Sequence, residues 1–111
     1  PLSIMTSYNL LNGVPTADSF DLCTNFARGE CGFEGLIMTD WNVGNFNPAP
    51  GLIYPLSNPA RSAAAGVNVY MPGGQHDYDE VMRALSAGEV SLERLKANAT
   101  YVHIMAEKLC K

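Results

Sequence analysis

Apolar and polar residues alternate along this chain in two rhythms. Three short runs, Ile4-Met5-Thr6, Ile37-Met38-Thr39 and Val67-Asn68-Val69-Tyr70-Met71, carry β-branched and large apolar residues and end in turn formers or polar groups. Runs of this kind read as strands of a buried parallel sheet. The first two belong to an internal echo: Ile4-Met5-Thr6-Ser7-Tyr8-Asn9 returns as Ile37-Met38-Thr39-Asp40-Trp41-Asn42. The offset is 33 positions (37 − 4), and the third run starts 30 after the second (67 − 37). A period of that size is one β-α unit.

Helical spacing fills the gaps. Asp18 or Ser19 is placed to cap a helix carrying Phe20, Cys23, Phe26 and Ala27, which Arg28-Gly29 would end. A short Ala-rich helix is expected from Pro59 to Ala65, with Gly66 beyond it. A third is expected from Asp77 to Ala87, its early carboxylates matched to the positive helix end. Ser91 caps a last helix, in which Leu92, Leu95, Ala99, Val102, Ala106 and Leu109 form one apolar stripe expected to face the core.

The order is therefore β-α-β-loop-α-β-α-α. It predicts an α/β fold of parallel β-α units, about three strands with flanking helices, in one unit over residues 1–111. The loop from Asn42 to Asn58 is long and rich in Asn, Pro and Gly, and loops of that length are often functional. A closed eight-stranded (β/α) barrel needs roughly 250 residues, so 111 can make only part of one.

Composition narrows the partners. Apolar residues make up 47% of the chain, enough for a core, and the net charge is only −4. No Lys/Arg stripe offers a nucleic-acid face. No apolar stretch nears the ~18 residues of a membrane span. The start lacks a signal-peptide pattern, and the chain opens on Pro1 rather than Met, so a piece of a longer polypeptide is expected. Cys23, Cys31 and Cys110 are too few and too oddly spaced for a disulfide framework or a zinc site; free thiols and a slight lean to the cytoplasm follow. No metal or cofactor is implied. The sequon Asn98-Ala99-Thr100 falls inside the last helix and reads as chance.

The candidate chemistry sits at the end of the second run. There Asp40 and Trp41 follow a buried strand directly, at the rim where α/β proteins place their sites. A carboxylate beside a flat aromatic suits work on a sugar, because an indole matches the apolar C–H face of a pyranose. The echo puts Tyr8 at the same rim, in what reads as equivalent alternation to Asp40, as a phenol able to donate to that acid. His76 reads as a solvated loop residue, and Glu30 and Glu34 as surface groups at the far strand end.

Four ordered motifs then carry a resemblance. Met5-Thr6-Ser7-Tyr8-Asn9-Leu10-Leu11-Asn12-Gly13-Val14, Leu22-Cys23-Thr24, Gly32-Phe33-Glu34-Gly35-Leu36-Ile37-Met38-Thr39-Asp40-Trp41 and Ala65-Gly66-Val67-Asn68-Val69-Tyr70-Met71-Pro72-Gly73 together resemble glycoside hydrolase family 3, the family of β-glucosidases and relatives. The resemblance covers nearly the whole chain. It implies strands six to eight and the closing helix of the family's (β/α)₈ barrel. It also implies that Asp40 is the nucleophile of a retaining glycosidase, Trp41 a sugar-subsite wall and Tyr8 a neighbour of the nucleophile. Two positions depart from the pattern: Cys31 stands where Trp is common, and Asn68 where Asp is common.

By the same resemblance the acid/base comes from another domain. The chain is then expected to carry the nucleophile without being an efficient enzyme alone, since general acid help is worth roughly 10²–10⁴-fold. An excised arc exposes sheet edges, so self-association is expected. Two other readings remain. One is a non-catalytic carbohydrate-binding or scaffold fragment. The other is a phospho-receiver, which is disfavoured because Met71-Pro72-Gly73 begins 31 positions after Asp40 (71 − 40), not a few.

Overall fold

The computed structural model describes residues 1–45 and 55–111. The middle of the long Asn42–Asn58 loop, residues 46–54, lies outside the described residues. Strand β1 (Ser3–Met5) runs parallel to β4 (Leu36–Met38), with Ile4 opposite Ile37. The third run is not a full strand. Only Val69 joins the sheet, through a parallel bridge to Met38. The reason is Asn68. The Oδ1 atom of Asn68 accepts the Ile37 N–H at 2.8 Å, and the N–H groups of Asn68 and Val69 both donate to the Ile37 carbonyl, at 2.8 and 3.3 Å. Two residues facing one is bulge geometry, and it interrupts a regular ladder.

A hairpin that the strand pattern did not predict follows β1. Strands β2 (Leu10–Leu11) and β3 (Val14–Pro15) pair antiparallel around Asn12 and Gly13, both at positive φ (50° and 81°). That is the turn Asn-Gly favours. A single 3₁₀ turn, Thr16–Asp18, leads out of it.

The first helix, Asp21–Glu30, is wound wide, in i→i+5 fashion; its end is closed by Cys31 N–H to Phe26 O at 2.9 Å. Ser19 Oγ accepts the Leu22 N–H at 3.2 Å, as a capping residue does. Helix α1 spans Pro59–Ala65 as expected. Asn58 caps it by accepting from the N–H groups of Ala60 and Arg61, and Gly66 ends it at φ 99°. Helices α2 (Gln75–Ser86) and α3 (Leu92–Leu109) follow, the latter capped by Ser91.

The face that α3 buries differs from the expected one. Leu92, Val102 and Leu109 are exposed, whereas Asn98 and Met105 are buried and Leu95 and Tyr101 half-buried. The helix turns this way because two polar attachments outrank its apolar stripe. Asn98 Nδ2 donates to the Ala63 carbonyl at 2.9 Å, and the Tyr101 ring lies 3.7 Å from the Arg28 guanidinium. Asn98 is therefore closed to glycosylation in the folded chain.

Two apolar clusters hold the unit. Cys23, Ala27, Ile37 and Val67 pack with Ile4 and Phe33 under the sheet; Ala60, Ala84 and Val90 join the helices. All three cysteines are free, and burial pushes the Cys23 thiol up to about 11. Arg28 ties the first cluster to the strands, donating to the carbonyls of Phe33 and Gly35 and to Asn68 Oδ1. Among the described residues, no helix is long and apolar enough to cross a membrane and no group of ligating side chains could hold a metal.

Candidate active site

The carboxyl ends of β1 and β4 and the chain after Val69 converge at one rim. Thr6 N–H bonds the Met38 carbonyl at 2.8 Å, and Thr39 N–H bonds the Val69 carbonyl at 3.0 Å. Thr39, almost fully buried, also accepts the Met71 N–H on its hydroxyl at 2.8 Å. The residue before Asp40 is thus stapled to the third run through both backbone and side chain. Asn42 N–H, bonded to the Met71 carbonyl at 3.1 Å, fixes the chain on the other side. Asp40 and Trp41 are held between these anchors.

The three residues singled out from sequence meet here. Trp41 N–H donates to Asp40 Oδ1 at 2.6 Å. The Tyr8 hydroxyl lies 3.2 Å from the same oxygen and 2.6 Å from the Trp41 carbonyl. A phenol has one proton, so the carbonyl and the carboxylate share it as alternative acceptors, the carbonyl at the shorter distance. Asp40 Oδ2 accepts no hydrogen bond among the described residues, so one carboxylate oxygen is anchored and the other is not. Asp40 is half-buried, and 54% of Trp41 is exposed, leaving the indole as an accessible platform.

One expectation needs correcting. The register sets Ile4 against Ile37, so Ser7, not Tyr8, is the counterpart of Asp40, and Tyr8 is the counterpart of Trp41. Tyr8 reaches the acid by the length of its side chain, beyond the last paired residue, where strand alternation no longer applies. His76 is solvated as expected, its side chain 92% exposed, though it sits in the first turn of α2 rather than a loop. Glu30 and Glu34 are exposed.

A polar cleft of about 440 Å³ opens beside the rim, lined among others by Asn42, Asn45, Asn58, Tyr70 and Asp77. The Tyr70 hydroxyl is buried there near Ser57, with no hydrogen bond of good geometry among the described residues, and it packs where a side chain at Gly44 would collide with it. A separate, mainly apolar groove runs between α1 and α3, away from Asp40.

Sequence reasoning missed Asp18, whose side chain is only 2% exposed. It accepts from the hydroxyls of Ser57 and Ser62, the Asn58 N–H and Arg61 Nε. It thereby ties the hairpin's exit to the start of α1. Its position between an Asn-Gly hairpin and a helix suggested only a cap, and no local pattern announces a carboxylate whose partners lie about 40 residues on.

Fold and rim together define an α/β protein that brings an acid, a phenol and an accessible indole to the carboxyl edge of a parallel sheet. Residues 2–105 match the model of the glycosyl hydrolase family 3 N-terminal domain. A β-glucosidase of Ruminococcus albus is 36% identical over 96% of this chain and 12% of its own length. An exo-α-(1→6)-L-arabinopyranosidase of Bifidobacterium breve is 35% identical over 86% of this chain and 11% of its own. The structure of β-glucosidase 3B from Thermotoga neapolitana in complex with glucose superposes with a TM-score of 0.70 at 32% identity, covering 88% of this chain and 13% of that one. The chain belongs to glycosyl hydrolase family 3, and it spans about an eighth of the length of these relatives.

The rim geometry makes a prediction about pH. Tyr8 titrates above its ordinary value of 10.0, first through desolvation, then through the Asp40 charge and the hydrogen bond to it. The folded state therefore keeps a proton that the unfolded state releases. The associated stability is complete below the ordinary value and lost as pH rises through the raised one. In a spectrophotometric alkaline titration, Tyr8→Phe should remove a late-titrating phenol, and Asp40→Asn should move that phenol back down. An unchanged Tyr8 titration in Asp40→Asn would contradict the coupling.

Proposed function

We propose that this chain is the nucleophile-bearing part of a retaining β-glycosidase of the β-glucosidase type. In this reading it forms strands six to eight and the closing helix of a (β/α)₈ barrel. The observation that carries the reading is the state of the Asp40 carboxylate: Oδ1 is held by the Trp41 N–H and lies within reach of the Tyr8 hydroxyl, while Oδ2 accepts no hydrogen bond among the described residues. Family membership and the β-glucosidase relatives support it.

Chemically, the Asp40 oxygen not held by Trp41 attacks the anomeric carbon. The bond to the leaving oxygen breaks with its electron pair going to that oxygen, which a general acid protonates. Water then displaces the aspartyl ester, with the conjugate base taking its proton. The second carboxyl must sit about 5–5.5 Å from the first, and we assign it to a part of the enzyme outside this chain. Trp41 offers the sugar an apolar face, and Tyr8 orients the acid. The substrate is a β-glucoside-type carbohydrate, and the isolated chain lacks efficient turnover.

In the complete glycosidase that carries this segment, Asp40→Asn is expected to lower kcat by roughly 10³-fold or more while the protein stays folded. Retained activity would reject Asp40 as nucleophile.

The same reading bears on assembly. The outer edge of β1 has no partner strand among the described residues, and Met5 (61% exposed) and Leu2 (55%) lie along it. Alone, the 111-residue chain is expected to self-associate. Light scattering at about ten micromolar tests this, and a monomer mass would contradict it.

A further inference from the structure

We infer that Thr16 is a positioning residue for Tyr8 and, through it, for the Asp40 carboxylate. The inference rests on the reading of Asp40 and Tyr8 given above and adds a residue that the Thr-Asp-Trp motif does not contain. Thr16 lies eight positions beyond Tyr8, at the exit of the β2–β3 hairpin, and is only 5% exposed.

Its contacts bracket Tyr8. On one side, Thr16 Oγ1 donates to the Ser7 carbonyl at 2.7 Å and accepts the Ser7 N–H at 3.0 Å. The Ser7 hydroxyl lies 3.1 Å from the same atom. On the other side, the Thr16 N–H donates to the Asn9 carbonyl at 3.3 Å. A hydroxyl has one proton and two acceptor sites. With the proton on the Ser7 carbonyl, Ser7 Oγ must be the donor of the third bond. The whole capacity of this hydroxyl is then taken by one residue, the neighbour of Tyr8.

The clasp is needed because β1 ends at Met5, and the last bond of its ladder is that of Thr6 N–H. Beyond Thr6, Ser7 has no strand partner to fix it. Without the clasp, Ser7 loses the bonds that fix its backbone, and the chain that aims the phenol is held less firmly. Thr16 is itself anchored: its carbonyl accepts from Ser19 N–H at 3.4 Å, and Cys23 Sγ lies 3.5 Å from it. The hairpin thus acts as a strut from the first helix to the rim. A displacement near 1 Å in a positioned group can cost about 10²-fold in rate, so a buried hydroxyl of this kind has leverage on chemistry it never touches.

The test uses the complete glycosidase that carries this segment, assayed on an aryl β-glucoside. Thr16→Val keeps the shape and removes the hydroxyl. It should lower kcat about tenfold and leave KM within about twofold. Thr16→Ser restores the donor and both acceptor sites and should recover most of the loss. In a Tyr8→Phe background, Thr16→Val should add less than about a twofold further loss, because its effect passes through the phenol. An equal loss in both backgrounds, or no rescue by Thr16→Ser, overturns the inference. If Thr16→Val does not fold, Ser7→Ala is measured in the same two backgrounds. A loss confined to the background with Tyr8 supports the clasp; an equal loss in both, or none in either, overturns it. Asp40→Asn, run alongside, separates the two claims. Full activity there removes the nucleophile reading itself, whereas an inactive Asp40→Asn with additive Thr16 and Tyr8 effects removes only the clasp.

Discussion

The structure is tied through the backbone of Ile37. Its side chain is wholly buried, so its N–H and C=O must find partners inside the protein. Asn68 serves both, accepting from the N–H with its side chain and donating to the carbonyl with its own N–H. The same Asn68 oxygen accepts from Arg28 at 2.9 Å, and Arg28 in turn stacks on Tyr101 of α3. One amide oxygen thus joins the middle strand to the wide helix, the third run and the last helix. An unmade bond at such a buried point costs on the order of 1–3 kcal/mol. Asp40 and Trp41 inherit their placement from this lock, because Asp40 is only three residues beyond Ile37.

From that lock the rim is built by relay. Thr39 fixes the exit of β4 to Met71, and Trp41 N–H holds one carboxylate oxygen. Tyr8 comes in from the neighbouring strand, held by the hairpin rather than by the sheet. The division is physically sensible. Ladder hydrogen bonds end where the strands end, and the groups just beyond need side-chain bonds to stay in place. Hydroxyls of Thr and Ser do that work on both strands of this rim.

Much of this was legible in the sequence and some was not. That the first two runs pair in parallel was legible in their echo, because a short apolar run ending in polar residues has few other buried uses; the register was not, since Tyr8 was set level with Asp40 and the pairing of Ile4 with Ile37 puts Ser7 there. Helix α1 was readable to its ends, since Asn58-Pro59 and Gly66 are local signals with local effects. The third strand was overread, because nothing in Val67-Asn68-Val69 says that Asn68 will turn its side chain into the ladder. The stripe on α3 misled for a like reason. Asn98 and Tyr101 answer to Ala63 and Arg28, far away in sequence, and those attachments set the helix rotation. The hairpin, by contrast, was there to be read in Asn12-Gly13. That Asp40, Trp41 and Tyr8 would meet could be expected because each lies just beyond a strand end; Asp18 read only as a cap because its partners lie about 40 residues on, and Thr16 escaped because it returns to Ser7 only through the hairpin, which was not predicted.

The central claim is that Asp40 forms a covalent bond to a sugar. The direct measurement is peptide mass spectrometry of the complete glycosidase after reaction with a mechanism-based fluorosugar. The account predicts one glycosyl adduct, on the peptide containing Thr39-Asp40-Trp41, located at Asp40 by fragmentation. An adduct on any other residue, with Asp40 unmodified, would contradict it.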